Sequence, residues 1–391
     1  MAVVVGVVLA GTVLFSALQT VVLPRGGLTG ITRFCFAVAD RVFVSRGHWR
    51  PVPKRFSSLY APVALVSLPF AWCMLVTLAF SFIFWGLDAG TYYDAFVVSG
   101  SSLFTLGFAN PEGAGLLWLT FVEATIGLGL VALLISFLPT LYAAYSDRER
   151  GVGLLEPLVG TPPSAVELLR RLHFAQSLDG STVWSPASQW FVAVAQSHTA
   201  FPALCSFPSQ HPGLSWVVTA GTVLDAAALR FSVFDGKPGP VPSGQGPPYA
   251  DHAAGPVLVL AHGIPALARV GQSAGLDVPV PASLLDLIRG AEHDLPAISV
   301  TREEYDAALR ALAAGGVIGD VDADRGWRRF VWLRSGYDEV IAGLAGYTQA
   351  PAAPWTADRA LVVGRPRFFS RRPLATSPPP EPRGYARPNG E

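Results

Sequence analysis

The sequence predicts an all-α membrane protein in which three membrane-spanning helices, with a re-entrant segment between the second and third, precede a mainly helical cytoplasmic region. Three observations predict it. First, 51% of the residues are hydrophobic and only 14% are charged, whereas charged residues make up about a quarter of an ordinary soluble chain. Second, the excess is concentrated in three charge-poor stretches, residues 2–23, 59–87 and 116–142, each longer than the ~20 residues a helix needs to cross a hydrocarbon core. Third, the formal net charge of zero hides an asymmetry along the chain. The loop 24–58 carries Arg25, Arg33, Arg41, Arg46, Arg50, Lys54 and Arg55 against the single acid Asp40, while residues 88–146 contain no Lys or Arg.

The basic loop fixes the expected orientation, because positively charged loops stay cytoplasmic. The N-terminus then lies outside, the first helix (1–23) runs inward and the second returns. The third ends at Asp147-Arg148-Glu149-Arg150 in the cytoplasm, and the expected location is the plasma membrane. The first stretch reads as a retained helix and not a cleaved signal, since no positive charge precedes it and its apolar run exceeds a ~7–15-residue signal core. Within 24–58, Leu28, Ile31, Cys35, Val38 and Val42 recur at helical spacing, which predicts an interfacial helix.

Residues 88–115 are too short and polar to span, yet Phe96-Val97-Val98 and Leu103-Phe104 are too apolar for an exterior loop. Non-helical backbone at membrane depth survives only where protein covers it or where it lines a watery path. A short descending helix over 92–104 and an extended return through Gly107 and Pro111 fit this constraint. Asp88, Asp94 and Glu112 flank the segment with no opposing base, which would concentrate cations there; a solvated loop accounts for them equally well.

Beyond the membrane, the expected organisation is a helical domain over 147–235, a Pro/Gly linker over 236–256, a second helical region over 257–370 and a disordered tail over 371–391. Ser164 precedes an amphipathic stretch to 177 with Glu167 at the capping-box position. Further helices are expected over 189–200, 215–234, 257–272, 283–292, 302–314 and 327–347. Arginine outnumbers lysine, which occurs only at Lys54 and Lys237. That bias reads as genomic base composition, with a bacterial source the expectation, and not as a nucleic-acid footprint. No nucleic-acid partner is expected.

Thr105-Leu106-Gly107-Phe108-Ala109-Asn110 resembles the Thr-Val-Gly-Tyr-Gly-Asp filter of potassium channels in type at four of six places. Phe followed two places later by Asn is similar to the ether-à-go-go channels. In the third span, Glu123-Ala124-Thr125-Ile126-Gly127 resembles the inner helix of inward-rectifier and related bacterial pores. The resemblance covers residues 60–146, and the long helical cytoplasmic part resembles a domain attached to uncharacterised bacterial pore-loop proteins, with no activity attached. It implies a re-entrant pore loop, a homotetramer in membrane lipid, and passive passage of monovalent cations, potassium above all, with no cofactor, no permanently bound metal and no enzymatic step. The filter residues implied are Thr105, Leu106, Gly107, Phe108 and Ala109. Filter support is expected from Ser101, Ser102, Asn110 and Glu123, with Ser101 or Ser102 as the partner of Glu123. Gly127, Gly129 and Pro139 are hinge or gate candidates, although close helix packing explains the two glycines as well. Ala109 stands where the family has glycine. If it adopted left-handed geometry, its Cβ would cost roughly 1–2 kcal/mol per subunit.

Two other readings stay open at this stage. A degenerate pore loop that holds together a membrane-anchored sensor or scaffold is the alternative that Ala109 favours. Gly271-Gln272-Ser273-Ala274-Gly275 matches the nucleophile elbow of α/β-hydrolases, but that fold needs a strand, a helix and more between Gly263 and Gly271 than the chain provides. The three cysteines, Cys35, Cys73 and Cys205, and the seven histidines show no disulfide or metal-ligand spacing. Trp327, Arg328, Arg329, Trp332 and Arg334 read as a packed helix face with snorkelling arginines.

Overall fold

The fold is taken from a computed structural model, which describes residues 1–21, 31, 34, 60–175, 183–209, 213–233, 254–278, 283–290 and 294–360. The expected interfacial helix, apart from residues 31 and 34, the 236–256 linker up to residue 253 and the C-terminal tail lie outside the described residues. Every regular element among the described residues is helical. The chain divides into two compact units. The first comprises residues 1–147 with 197–208, and the second comprises 148–196 with 209–391.

In the first unit, α1 (Ala2–Val21) and α2 (Tyr60–Gly86) are apolar and uncharged along their lengths. They run antiparallel, Val3 lying by Gly86 and Gly6 by Ala79 and Ile83. A Cβ on Gly6 would come within 2.5 Å of the Ala79 carbonyl oxygen, so glycine sets how closely the two backbones approach. Val13, Ala17, Leu68, Trp72, Val76 and Phe84 fill the seam between them. The chain then reverses through Asp88 (φ 67°) and Gly90 (φ 88°) into α3 (Tyr92–Leu103).

A capping box starts α3. Thr91 Oγ1 accepts from the Asp94 N–H at 3.3 Å and Asp94 Oδ2 accepts from the Thr91 N–H at 2.9 Å, so two orphan donors are satisfied at the helix start. The helix has 12 residues, about 18 Å at 1.5 Å per residue, well short of a ~30 Å hydrocarbon core. It buries Ala95, Val98, Ser99 and Ser101 to Leu103 against its neighbours.

The long helix α4 (Ala114–Val159) runs unbroken for 46 residues through Gly127, Gly129 and Pro139, well past Tyr142, where the apolar stretch ends. Residues 197–208 belong to this unit and include a 3-10 turn, Pro202–Ser206. Ala203 and Leu204 pack on Leu141, Phe201 stacks edge-on against Phe137 with centroids 5.6 Å apart, and Tyr145 donates to the Pro208 carbonyl at 3.1 Å.

The second unit contains the end of α4 from residue 148, α5 (Ala165–Phe174), α6 (Trp184–Ala200) up to residue 196, α7 (Trp216–Val233), α8 (Ala254–Ser273), α9 (Leu284–Gly290), α10 (Arg302–Ala314), α11 (Ala323–Ser335) and α12 (Asp338–Thr348). α5, α8, α11 and α12 all pack around α7. Gly221 and Gly263 allow that close approach, a Cβ on the first falling 2.3 Å from Thr356 Cγ2 and on the second 2.7 Å from Leu224 Cδ2.

Two local expectations are corrected here. Ser164 sits at the N-cap of α5 with no side-chain bond to the helix, and Glu167 pairs with Arg171 at 2.7 Å, so the capping box does not form. The helix expected over 327–347 is two, because the chain turns at Gly336 between α11 and α12.

Among the described residues, five helices are long and apolar enough to cross a membrane: α1, α2, α4, α7 and α8. They are consistent with a membrane location. α7 differs from the others in that 89% of its apolar window is buried within the protein, against 17% for α4. α7 also carries Asp225, which is 1% exposed and paired with the buried Arg334 of α11. Asp338 accepts from Arg334 Nε at 2.7 Å, and Tyr337 donates to Asp225 at 2.9 Å. Burial alone would lower the Arg334 pKa, but Asp225 and Asp338 more than offset it and hold the guanidinium above its ordinary value.

Candidate functional site

The site is built where α3 ends. Phe104 closes the helix, its N–H donating to the Gly100 carbonyl at 3.2 Å and the Thr105 N–H to the Ser102 carbonyl at 3.0 Å, and the chain leaves through Thr105, whose φ of 54° is left-handed. Threonine there carries a steric cost that glycine would not. Gly107 is also left-handed, at φ 72°, while Leu106 between them is not. The backbone hand therefore alternates over three residues.

The hydrogen bonds of this loop converge on Ser101. The Leu106 N–H donates to the Ser101 carbonyl at 2.8 Å and the Gly107 N–H reaches the same oxygen at 3.4 Å. The Ala109 N–H donates to Ser101 Oγ at 3.1 Å. These peptides are trans, and in a planar trans peptide the C=O points opposite to the N–H. The carbonyls of Thr105, Leu106 and Phe108 therefore point away from α3. The loop is exposed in the single chain: Leu106 is 61% and Phe108 67% exposed, and Thr105, Gly107 and Asn110 are exposed too.

Ala109 is half-buried and does not have positive φ. The left-handed penalty considered for its Cβ is not incurred; Thr105 is the side-chain-bearing residue that bears such strain. Ser102 donates within α3, to the Val98 carbonyl at 2.8 Å.

Glu123 on α4 is fully buried. Its partner is Ser99, one helical turn from the expected Ser102, through Oε1, and Oε2 has no hydrogen-bond partner among the described residues. Ser99 Oγ also lies 2.9 Å from the Thr77 carbonyl of α2, which accepts from Ser81 Oγ at 2.6 Å. Glu123, Ser99 and Thr77 thus join α4, α3 and α2 behind the loop. Thr77 and Ser81, hydroxyl residues four apart in an otherwise apolar helix, were the available sequence signal for this cluster.

The hinge candidates separate by their surroundings. A Cβ on Gly127 would fall 2.1 Å from the Leu103 carbonyl oxygen, whereas one on Gly129 meets nothing within 4 Å in the same chain. Gly127 thus lies directly against the end of α3. Pro139 lies within unbroken helix.

Elsewhere, Ser273 ends α8 and donates to the Val270 carbonyl at 2.8 Å, so a helix and not a strand leads into it. Ser188 Oγ is 2.6 Å from His262 Nδ1, with no acid bonded to the other ring nitrogen among the described residues. Among the described residues no cluster of His, Cys, Asp or Glu could hold a metal, and neither Cys73 nor Cys205 is in a disulfide. No protein-family model, curated protein or solved structure matches this chain.

Proposed function

We propose that the chain is a subunit of a tetrameric cation channel that conducts potassium through a pore lined by residues 105–109. The observation that carries this reading is the common direction of the Thr105, Leu106 and Phe108 carbonyls, turned away from α3 by hydrogen bonds to Ser101. Dehydrating a cation requires replacing its water oxygens, and rings of backbone carbonyls from four such loops do so. One loop supplies a quarter of each ring, which is why these residues lie open in a single chain.

The remaining elements take roles consistent with this. α3 is the half-helix that descends to the filter, and α2 and α4 flank it as outer and inner helices. Phe108, exposed on its own chain, packs against a neighbouring copy. α7, enclosed on nearly all sides and carrying the Asp225–Arg334 pair, is the core of a cytoplasmic domain and not a fourth span. The protein sits in the plasma membrane with its N-terminus outside, as the basic loop 24–58 requires.

The test is reconstitution of the purified full-length protein into liposomes with a potassium or a sodium gradient. A tetramer that passes potassium faster than sodium is the expected result. A tetramer that passes neither ion, with Ala109→Gly as inert as the parent, overturns the proposal and leaves a membrane-anchored scaffold.

A further inference from the structure

Hydrogen counting at Ser99 leads to an assignment that the channel reading does not contain. Ser99 Oγ is hydrogen bonded to two oxygens, the Thr77 carbonyl at 2.9 Å and Glu123 Oε1. A serine hydroxyl carries one hydrogen, and a carbonyl oxygen has none to give. If Glu123 were a carboxylate, two acceptors would compete for that single hydrogen and one contact would be oxygen against oxygen with nothing between. A proton on the carboxyl resolves this: Glu123 donates to Ser99, and Ser99 donates onward to Thr77.

The surroundings agree. Glu123 is fully buried and Oε2 is without a partner. A neutral carbonyl oxygen tolerates that state far better than one oxygen of an anion. The titratable side chains on the elements packed around it are few. α1 has none; α2 has Tyr60 and Cys73; α3 has Tyr92, Tyr93 and Asp94 in its first turn, where Asp94 is committed to Thr91. α4 has no base before Arg148. No cation on these elements compensates a charge on Glu123.

We infer that Glu123 is a permanently protonated, neutral acid whose hydroxyl ties α4 to Ser99 of α3 and, through Ser99, to the Thr77 carbonyl of α2. It is a positioning residue: it touches no ion, and it holds the end of α3 from which the loop departs. The proton is a structural component of the joint, and glutamine, whose amide also donates, reproduces it.

Infrared spectroscopy of the full-length protein in lipid, near neutral pH, tests the assignment directly. The wild-type minus Glu123→Gln difference is expected to show the carbonyl stretch of a protonated carboxylic acid and no loss of carboxylate bands. A difference that shows carboxylate bands instead overturns the inference. Ser99→Ala supplies a second readout, in which the acid band shifts because its hydroxyl has lost an acceptor; an unmoved band means that Glu123 does not donate to Ser99. Glu123→Gln should retain the oligomer and melting behaviour that Glu123→Ala loses, and equal loss in both contradicts the donor role. None of these measurements requires conduction, so this inference and the channel proposal fail separately.

Discussion

The Ala109 N–H donates to the Ser101 hydroxyl eight residues earlier, at 3.1 Å, and so the loop that leaves α3 is tied back to the helix it left. The same serine takes the Leu106 and Gly107 N–H groups on its carbonyl oxygen. One residue thus orients three peptide planes, two through its backbone and one through its side chain. Ser101→Ala removes only the last. We expect a loss of about 1 kcal/mol, the net worth of one hydrogen bond, and a potassium-to-sodium flux ratio that falls while the fold is retained. A flux ratio identical to wild type in liposomes means that the Phe108 carbonyl needs no such restraint.

Gly127 and Gly129 should behave oppositely. Gly127→Ala places a methyl 2.1 Å from the Leu103 carbonyl oxygen, and separating α3 from α4 is expected to cost about 1–3 kcal/mol, as overpacking does. Gly129→Ala meets open space in its own chain and adds helix propensity, roughly 0.5–1 kcal/mol. Thermal melting in detergent distinguishes them: a lower midpoint for the first and an unchanged or higher one for the second. Equal destabilisation by both would place Gly129 at a contact between copies.

Arg334→Met leaves Asp225 and Asp338 buried without their cation. Breaking one partner out of a buried pair costs about 3–5 kcal/mol, which for a domain of this size lowers the melting temperature on the order of 10 °C. Arg328→Met, on the same helix, should change it little. Comparable shifts in the two variants would show that lost packing, and not the stranded charge, accounts for the effect.

Tyr305 of α10 is fully buried, and burial raises its pKa from 10.0 to about 12. The unfolded chain therefore loses this proton first as pH rises. The stabilisation is fully present below pH 10, and it is lost between pH 10 and about 12, amounting to about 3 kcal/mol at 1.36 kcal/mol per pKa unit. Tyr337 is also raised, by burial and then by Asp225. Tyr305→Phe should flatten the decline over that window in denaturant midpoints measured against pH. A slope as steep as wild type would assign the whole decline to other groups.

Helices were legible where local rules decided them. α10 lies where its apolar spacing places it, started by the Thr301–Glu304 capping box. The break at Gly336 was not legible, because Phe330, Leu333, Tyr337, Val340 and Ile341 continue an apolar face across it. Arg334 read as a snorkelling arginine because nothing near it in sequence shows that Asp225, 109 positions earlier, meets it. At the site, the loop was located by length and polarity. The partner of Glu123 was not, since Ser99, Ser101 and Ser102 are alike in sequence and only the rotation of α3 against α4 chooses among them. The Ala109 question was decided by backbone hand, which composition does not encode.

The central claim is that the backbone carbonyls of residues 105–109 carry cations, and Gly107 isolates it. Gly107 has φ 72° and a Cβ there would meet nothing within 4 Å in its own chain, so within the chain Gly107→Ala alters the loop through its dihedral, at roughly 1–2 kcal/mol per subunit. Potassium flux into liposomes should be measured for the wild type and for this variant at equal amounts of intact oligomer. The account predicts flux in the wild type and its collapse in Gly107→Ala; equal flux in both, or none in either, would contradict it.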